Sequence, residues 1–239
     1  MEIRKRKLAV ITGASTAIGV EFTRLYAQDN FDLVIAANEP MIQSAAQELG
    51  EMGVRCRAVQ CDLTTPAHTS QLIAAIAGRP VDTLLAIARL GFGKDFAERK
   101  LDEALQDIQS SIDGTVRLVF EVAQGMRRRG RGHIIIIGSV AELMPGIFEA
   151  VYNCSKAFLD SFSVALNNEL KDAGVTVACL MPSATGSGEK ASPSHPPKID
   201  PDRPKKGNLK LVVGGRNAVG AGNRLHAALR GVKLSKFTQ

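Results

Sequence analysis

The sequence predicts a doubly wound parallel α/β sheet of Rossmann type, in three α/β/α layers. Three observations carry this. Short apolar runs rich in Val, Ile and Leu recur along the chain, and near-continuous apolar runs are what burial of a strand on both faces demands. Stretches with helical periodicity lie between most of them, the alternation expected of a parallel sheet with helices on each side. A glycine-rich turn, TGASTAIG over 12–19, follows the first run at once.

In chain order the predicted strands are 8–12, 33–37, 58–61, 83–87, 133–137 and 175–181. The predicted helices are 18–29, 40–52, 67–77, 102–128 and 151–173, the last closed by Gly174, a residue suited to the left-handed stop of a helix. After Pro182 the texture changes. Residues 182–208 are rich in Pro, Ser and Lys with no helical face, a composition that predicts a loop, flexible over 188–207. One more strand is expected at 210–213 and a short helix at 222–231. The whole chain, 1–239, reads as a single domain.

Composition narrows the function classes. An apolar share of 45% supports a sizeable core and argues against disorder. No apolar run reaches the roughly 18 residues that cross a bilayer, so the expectation is a soluble cytoplasmic protein with no membrane partner. The four cysteines (56, 61, 154, 179) lack CxxC spacing and the four histidines are scattered, which implies no metal site. A net charge of +6 is spread thinly, with its densest clusters at 4–7, 127–131 and 203–206. The second falls at a helix end, where cations suit the dipole. With 5% aromatic residues and no Trp, platforms for stacking bases are scarce, and no nucleic-acid partner is expected.

Two stretches carry candidate chemistry. The turn after strand one is where a doubly wound sheet binds a dinucleotide, because glycines let the backbone approach the pyrophosphate and the next helix offers free amides. Gly13 and Gly19 fit; Ala17 stands where a third glycine is wanted. The second stretch, VYNCSK over 151–156, puts Tyr152 and Lys156 four residues apart, on one face of a helix.

Taken together, Thr12-Gly13, Ile18-Gly19, Cys61-Asp-Leu63, Gly138-Ser139, Tyr152-x-x-x-Lys156 and Val177 to Pro182 resemble the short-chain dehydrogenase/reductase family over roughly 5–187. The resemblance implies an NAD(P)-dependent oxidoreductase that interconverts a carbonyl and an alcohol. Tyr152 would be the general acid, Lys156 would favour its ionised form by charge, and Ser139 would hydrogen-bond the substrate oxygen. The fourth catalytic position, an asparagine in the family, aligns with Ser111. Cofactor contacts implied are Gly13, Ser15, Thr16, Ile18, Gly19, Asn38, Asp62, Leu63, Ala88, Tyr152, Lys156, Pro182 and Thr185. The segment Ala86-Ile-Ala-Arg89 replaces the family's Asn-Asn-Ala-Gly. At the end of strand two the chain has Ala37-Asn38-Glu39. The missing acid at 37 favours NADP, with Thr16 and Asn38 toward its phosphate; Glu39 keeps NAD open. A homodimer or homotetramer through the helices 102–128 and 151–173 is implied. Two other functions stay open: a non-redox enzyme reusing Ser139, Tyr152 and Lys156, and a non-catalytic binding or scaffold protein.

Overall fold

The computed structural model describes residues 6–88, 95–139, 150–182, 211–214 and 234–235. Strands β1 (Leu8–Ile11), β2 (Asp32–Ala37), β3 (Cys56–Gln60), β4 (Thr83–Ile87), β5 (Gly132–Ile137), β6 (Val175–Pro182), β7 (Leu211–Gly214) and β8 (Leu234–Ser235) form one sheet in the order β3-β2-β1-β4-β5-β6-β7-β8. The first six are mutually parallel. The expected extra strand exists as β7, but it pairs antiparallel with β6, so the sheet is parallel only through β6. The expected helix at 222–231 and the loop 188–207 lie outside the described residues.

Helices α1 (Ala17–Gln28), α2 (Ile42–Glu51), α3 (Pro66–Ile76) and α6 (Ala150–Leu170) fall close to their predicted places, and α5 (Gly114–Arg129) covers only the second half of the helix expected over 102–128. The single helix expected over 102–128 is instead α4 (Leu101–Ile108), a π-helical turn (Gln109–Asp113) and α5. Ser110 Oγ donates to Asp107 O at 3.2 Å, so a hydroxyl competes for a ladder carbonyl at the point where the helix widens. Left-handed glycines close α5 at Gly130 (φ 70°) and the turn after α6 at Gly174 (φ 70°).

Strand alternation divides the core into two layers. Ala9, Ile11, Leu33, Ile35, Leu85, Ile87, Ile135 and Ile137 pack toward α1 and α2. Leu8, Val10, Val34, Ala36, Leu84, Ile134, Ile136 and Val177 pack toward α3, α5 and α6. Each large aliphatic side chain fully buried this way contributes about 1.5–3 kcal/mol. At the opposite end of the sheet from the glycine-rich turn, Asp32 is inaccessible to solvent. It accepts from Arg55 Nε (3.1 Å) and Arg79 Nη2 (2.8 Å), with Arg6 Nη1 at 4.0 Å. Burial pushes its carboxyl up, but the bonds from Arg79 and Arg55 outweigh that and hold it below its ordinary value.

All four cysteines are free thiols. Burial pushes Cys56 up to about 12, and burial with the Asp62 charge pushes Cys61 up to about 11. Both are therefore thiols, not thiolates, near neutral pH. Among the described residues no helix is long and apolar enough to span a membrane, and no cluster of ligating side chains could hold a metal.

Candidate active site and cofactor cleft

The turn between β1 and α1 is fixed by its own hydrogen bonds. Gly13 takes φ 58°, and a Cβ there would stand 2.9 Å from Ile87 Cβ. Ala14 N donates to Ala36 O (3.1 Å), tying the turn to β2. Thr16 caps α1: its Oγ1 accepts from Gly19 N (3.0 Å) and donates to Gly13 O (2.8 Å). A methyl on Gly19 would lie 2.2 Å from Gly13 O, so helix and turn touch backbone to backbone. The amides of Ala17 and Ile18 find no acceptor among the described residues, which leaves the first turn of α1 with donors for an anion.

At Ala17 the departure places no special demand on the backbone. The residue begins α1, is exposed, and is not among the residues of positive φ. Its backbone therefore does not require glycine.

Along the rim of the sheet, Ser15 Oγ donates to Glu39 Oε2 at 2.6 Å. The Asn38 amide, turned with its nitrogen toward Glu39, donates to both carboxylate oxygens (2.5 and 2.8 Å). Asp62 Oδ1 accepts from Thr64 N (3.0 Å), and His68 Nδ1 lies 2.6 Å from Asp62 O. Leu63 presses against the start of α5: a Cβ on Gly114 would stand 2.3 Å from Leu63 O. Ala88 is buried just past β4. Ala86 sits inside β4 and is buried as well, while Arg89 and Thr185 lie outside the described residues. Ala86 and Ile87, which stand at the family's two asparagines, lie within β4, and the Thr12 hydroxyl joins β1 to that strand. Its Oγ1 accepts from Ile87 N (2.9 Å) and donates to Ile87 O (3.2 Å).

At the neighbouring strand, β5 ends two residues before Ser139. Lys156 is 1% exposed and sends Nζ to Ile137 O (3.0 Å), so α6 delivers its ammonium to the end of β5. Its Nζ also lies 5.6 Å from the centroid of the Tyr152 ring, within cation–π range. Ser111 is buried in the π-helical turn, and that turn packs against α6. Ser139, Tyr152, Lys156 and Ser111 are thus carried by elements that meet at one end of the sheet. Pro182 ends β6 at that same end.

The sequence profile of the short chain dehydrogenase family matches residues 7–195. The chain belongs to that family. Among its relatives is a very-long-chain 3-oxoacyl-CoA reductase of Aspergillus fumigatus, 30% identical over 204 residues, covering 80% of this chain and 59% of that protein. The chain thus spans less than two thirds of that relative's length. Two solved structures superpose on the fold. A short-chain dehydrogenase from Sphingobium yanoikuyae in complex with NADPH is 29% identical with a TM-score of 0.69, over 74% of this chain and 71% of the other. The L-sorbose reductase of Gluconobacter frateurii, complexed with NADPH and L-sorbose, gives 29% and 0.69 over 73% and 68%.

Four contacts were hidden from sequence reasoning: the Thr12 bridge, the Ser15 to Glu39 bond, His68 against Asp62, and the inward polar side chains of α6. The first three join residues 6 to 75 positions apart, and no local pattern announces them.

Proposed function

We propose that the chain is an NAD(P)-dependent oxidoreductase that interconverts a small-molecule carbonyl and its alcohol, with Tyr152 as acid and base. The observation that carries this is Lys156, buried, anchored on Ile137 O and facing the Tyr152 ring. Burying an ammonium carries a large desolvation cost unless it is paired or hydrogen-bonded, and the bond to Ile137 O offsets part of that cost while holding the charge beside Tyr152.

The cleft fits a dinucleotide on its own terms. Gly13 and Gly19 form a cradle that a single Cβ would fill, and the amides of Ala17 and Ile18, without an acceptor among the described residues, are left as donors for an anion. Ser15, Thr16, Ile18 and Asn38 would line the phosphate and ribose side, Asp62, Leu63 and Ala88 the adenine and ribose, and Pro182 with Thr185 the carboxamide. The nicotinamide supplies or accepts the hydride when bound. Ser139 holds the substrate oxygen by hydrogen bond. Tyr152 gives that oxygen its proton during reduction and withdraws it during oxidation. Lys156 holds the tyrosine's oxygen in register by charge.

NADP is the reading supported by the missing acid at position 37. The bond between Ser15 and Glu39 supports NAD, since it holds a carboxylate beside the turn, where a ribose phosphate would meet like charge. Titrating the protein with NADPH and NADH by nicotinamide fluorescence, then assaying a panel of aldehydes, ketones and quinones, tests both. Binding of neither nucleotide would leave a scaffold reading. Binding without reduction of any carbonyl would favour a non-redox enzyme. Phe120 (61% exposed) on α5 and the stacked pair Phe158 and Phe162 on α6 (5.9 Å between centroids) support self-association through these helices.

A further inference from the structure

Helix α6 turns a polar stripe inward. Asn153, Lys156 and Asp160 follow one another at i, i+3 and i+7, a spacing that keeps three side chains on one face. Asn153 is 4% exposed, yet among the described residues neither its Nδ2 nor its Oδ1 has a hydrogen-bond partner. The Oδ1 of Asp160 is buried and has none either. The other oxygen of that carboxyl meets the thiol of Cys179 on β6, and the residue as a whole keeps partial access to solvent. Lys156 lies between the two along the helix, with Nζ on Ile137 O.

Each buried polar atom left unpaired costs about 1–3 kcal/mol. Three such atoms on the helix face that carries Lys156 are a poor surface for an apolar occupant. They are a good one for ordered water, which needs two to four polar partners in a buried site. Helical side chains lean toward the helix N-terminus. Asp160 therefore leans over the turn of Lys156, and Lys156 over the turn that holds Tyr152 and Asn153.

We infer that Asn153 and Asp160 hold ordered water against Lys156, and that this column, reaching solvent at Asp160, carries the proton that restores Tyr152 after each reduction. The inference rests on the oxidoreductase reading above. In reduction the hydride adds to the carbonyl carbon, and Tyr152 gives its phenolic proton to the oxygen, yielding the alcohol. The tyrosinate is reprotonated from the Lys156 ammonium. Lys156 takes a proton from the bound water, and Asp160 passes one in from solvent, so the protein returns to its starting state. The route gives the chain a relay of its own where Ser111, a single buried hydroxyl, replaces the family's asparagine. Asn153 and Asp160 are positioning and relay residues; neither touches the substrate.

Two measurements test this. A crystal structure of the protein without substrate should show ordered water within hydrogen-bond distance of the Asn153 amide and Asp160 Oδ1; a dry stripe overturns the inference whatever the substrate proves to be. In turnover, Asp160→Asn keeps the shape of the side chain and cannot pass a proton. It should lower kcat by at least about 10-fold, less than the loss of a direct acid, with KM and the urea midpoint unchanged. The solvent deuterium isotope effect on kcat should grow, imidazole buffer should restore turnover, and Asp160→Glu should retain most of it. A variant with wild-type kcat, or one that loses kcat with neither isotope effect nor rescue, sinks the relay alone. If the wild-type protein reduces no carbonyl, the reading of the site falls and the relay falls with it.

Discussion

Replacing Gly19 with alanine is the sharpest test of how the cofactor cleft is built. The added methyl would sit 2.2 Å from Gly13 O, 2.7 Å from Ala14 Cα and 2.9 Å from Gly13 C, all backbone atoms, whereas ordinary contact begins at 3.4 Å. Relief requires the turn and helix to part by about 1 Å, because no flexible side chain is there to yield. Overpacking of this kind costs about 1–3 kcal/mol. A displacement near 1 Å in a positioning element costs on the order of 100-fold in function. The expected result is a lower urea midpoint and a rise in the dissociation constant for NADPH or NADH on the order of 100-fold. Gly50→Ala is the control. Gly50 lies exposed in α2 with nothing within 4 Å of its added Cβ, so the same change there should stabilise by about 0.5–1 kcal/mol. If Gly19→Ala matches the wild type in both stability and nucleotide affinity, the close contact of helix and turn is wrong.

Tyr152→Phe should fold, bind nucleotide as before and lose at least about 100-fold in kcat; steady-state kinetics on any reduced carbonyl checks it, and full turnover would remove Tyr152 from the mechanism. Asp32→Asn should cost about 2 kcal/mol at neutral pH, below the usual figure for a broken buried pair because its arginines are 38–75% exposed. Since the folded carboxyl is held below its ordinary value, its contribution is fully present above the unfolded value of about 3.9 and fades as pH falls through the folded one. Urea melts of variant and wild type should therefore converge in acid, and a gap that persists there would deny the charge a role. Sedimentation at micromolar concentration should show a species heavier than the 25.5 kDa chain, and Phe120→Glu should dissociate it; a lone monomer in the wild type refutes self-association.

The six parallel strands were legible because burial on both faces leaves little choice of residue, as in Ile134 to Ile137, none of them more than 4% exposed. The direction of β7 was not, since an apolar run such as Leu211 to Gly214 reads the same either way along a sheet edge. The break in the helix over 102–128 escaped too, because Ser110 and Ser111 resemble ordinary helix residues until their hydroxyls are placed. At the site, the spacing of Tyr152 and Lys156 was visible, as was the position of Ser139 after β5. Asn153 and Asp160 were not: polar residues along a helix look like a solvated face until the sheet shows which side is inward. Ala17 needed its backbone angle, which only the fold supplies.

The contact between Gly114 and Leu63 sets a limit on redesign. Backbone meets backbone there with no room for a methyl, so the loop assigned to adenine and the π-helical turn that holds Ser111 behave as one welded part. Diversifying positions 62–64 to alter nucleotide affinity will also shift the segment lying against α6, and any library built there should be sorted on turnover as well as on binding. Putting an asparagine back at 111 carries the reverse liability: the larger side chain must be absorbed by a turn whose far end, at Gly114, has nowhere to go.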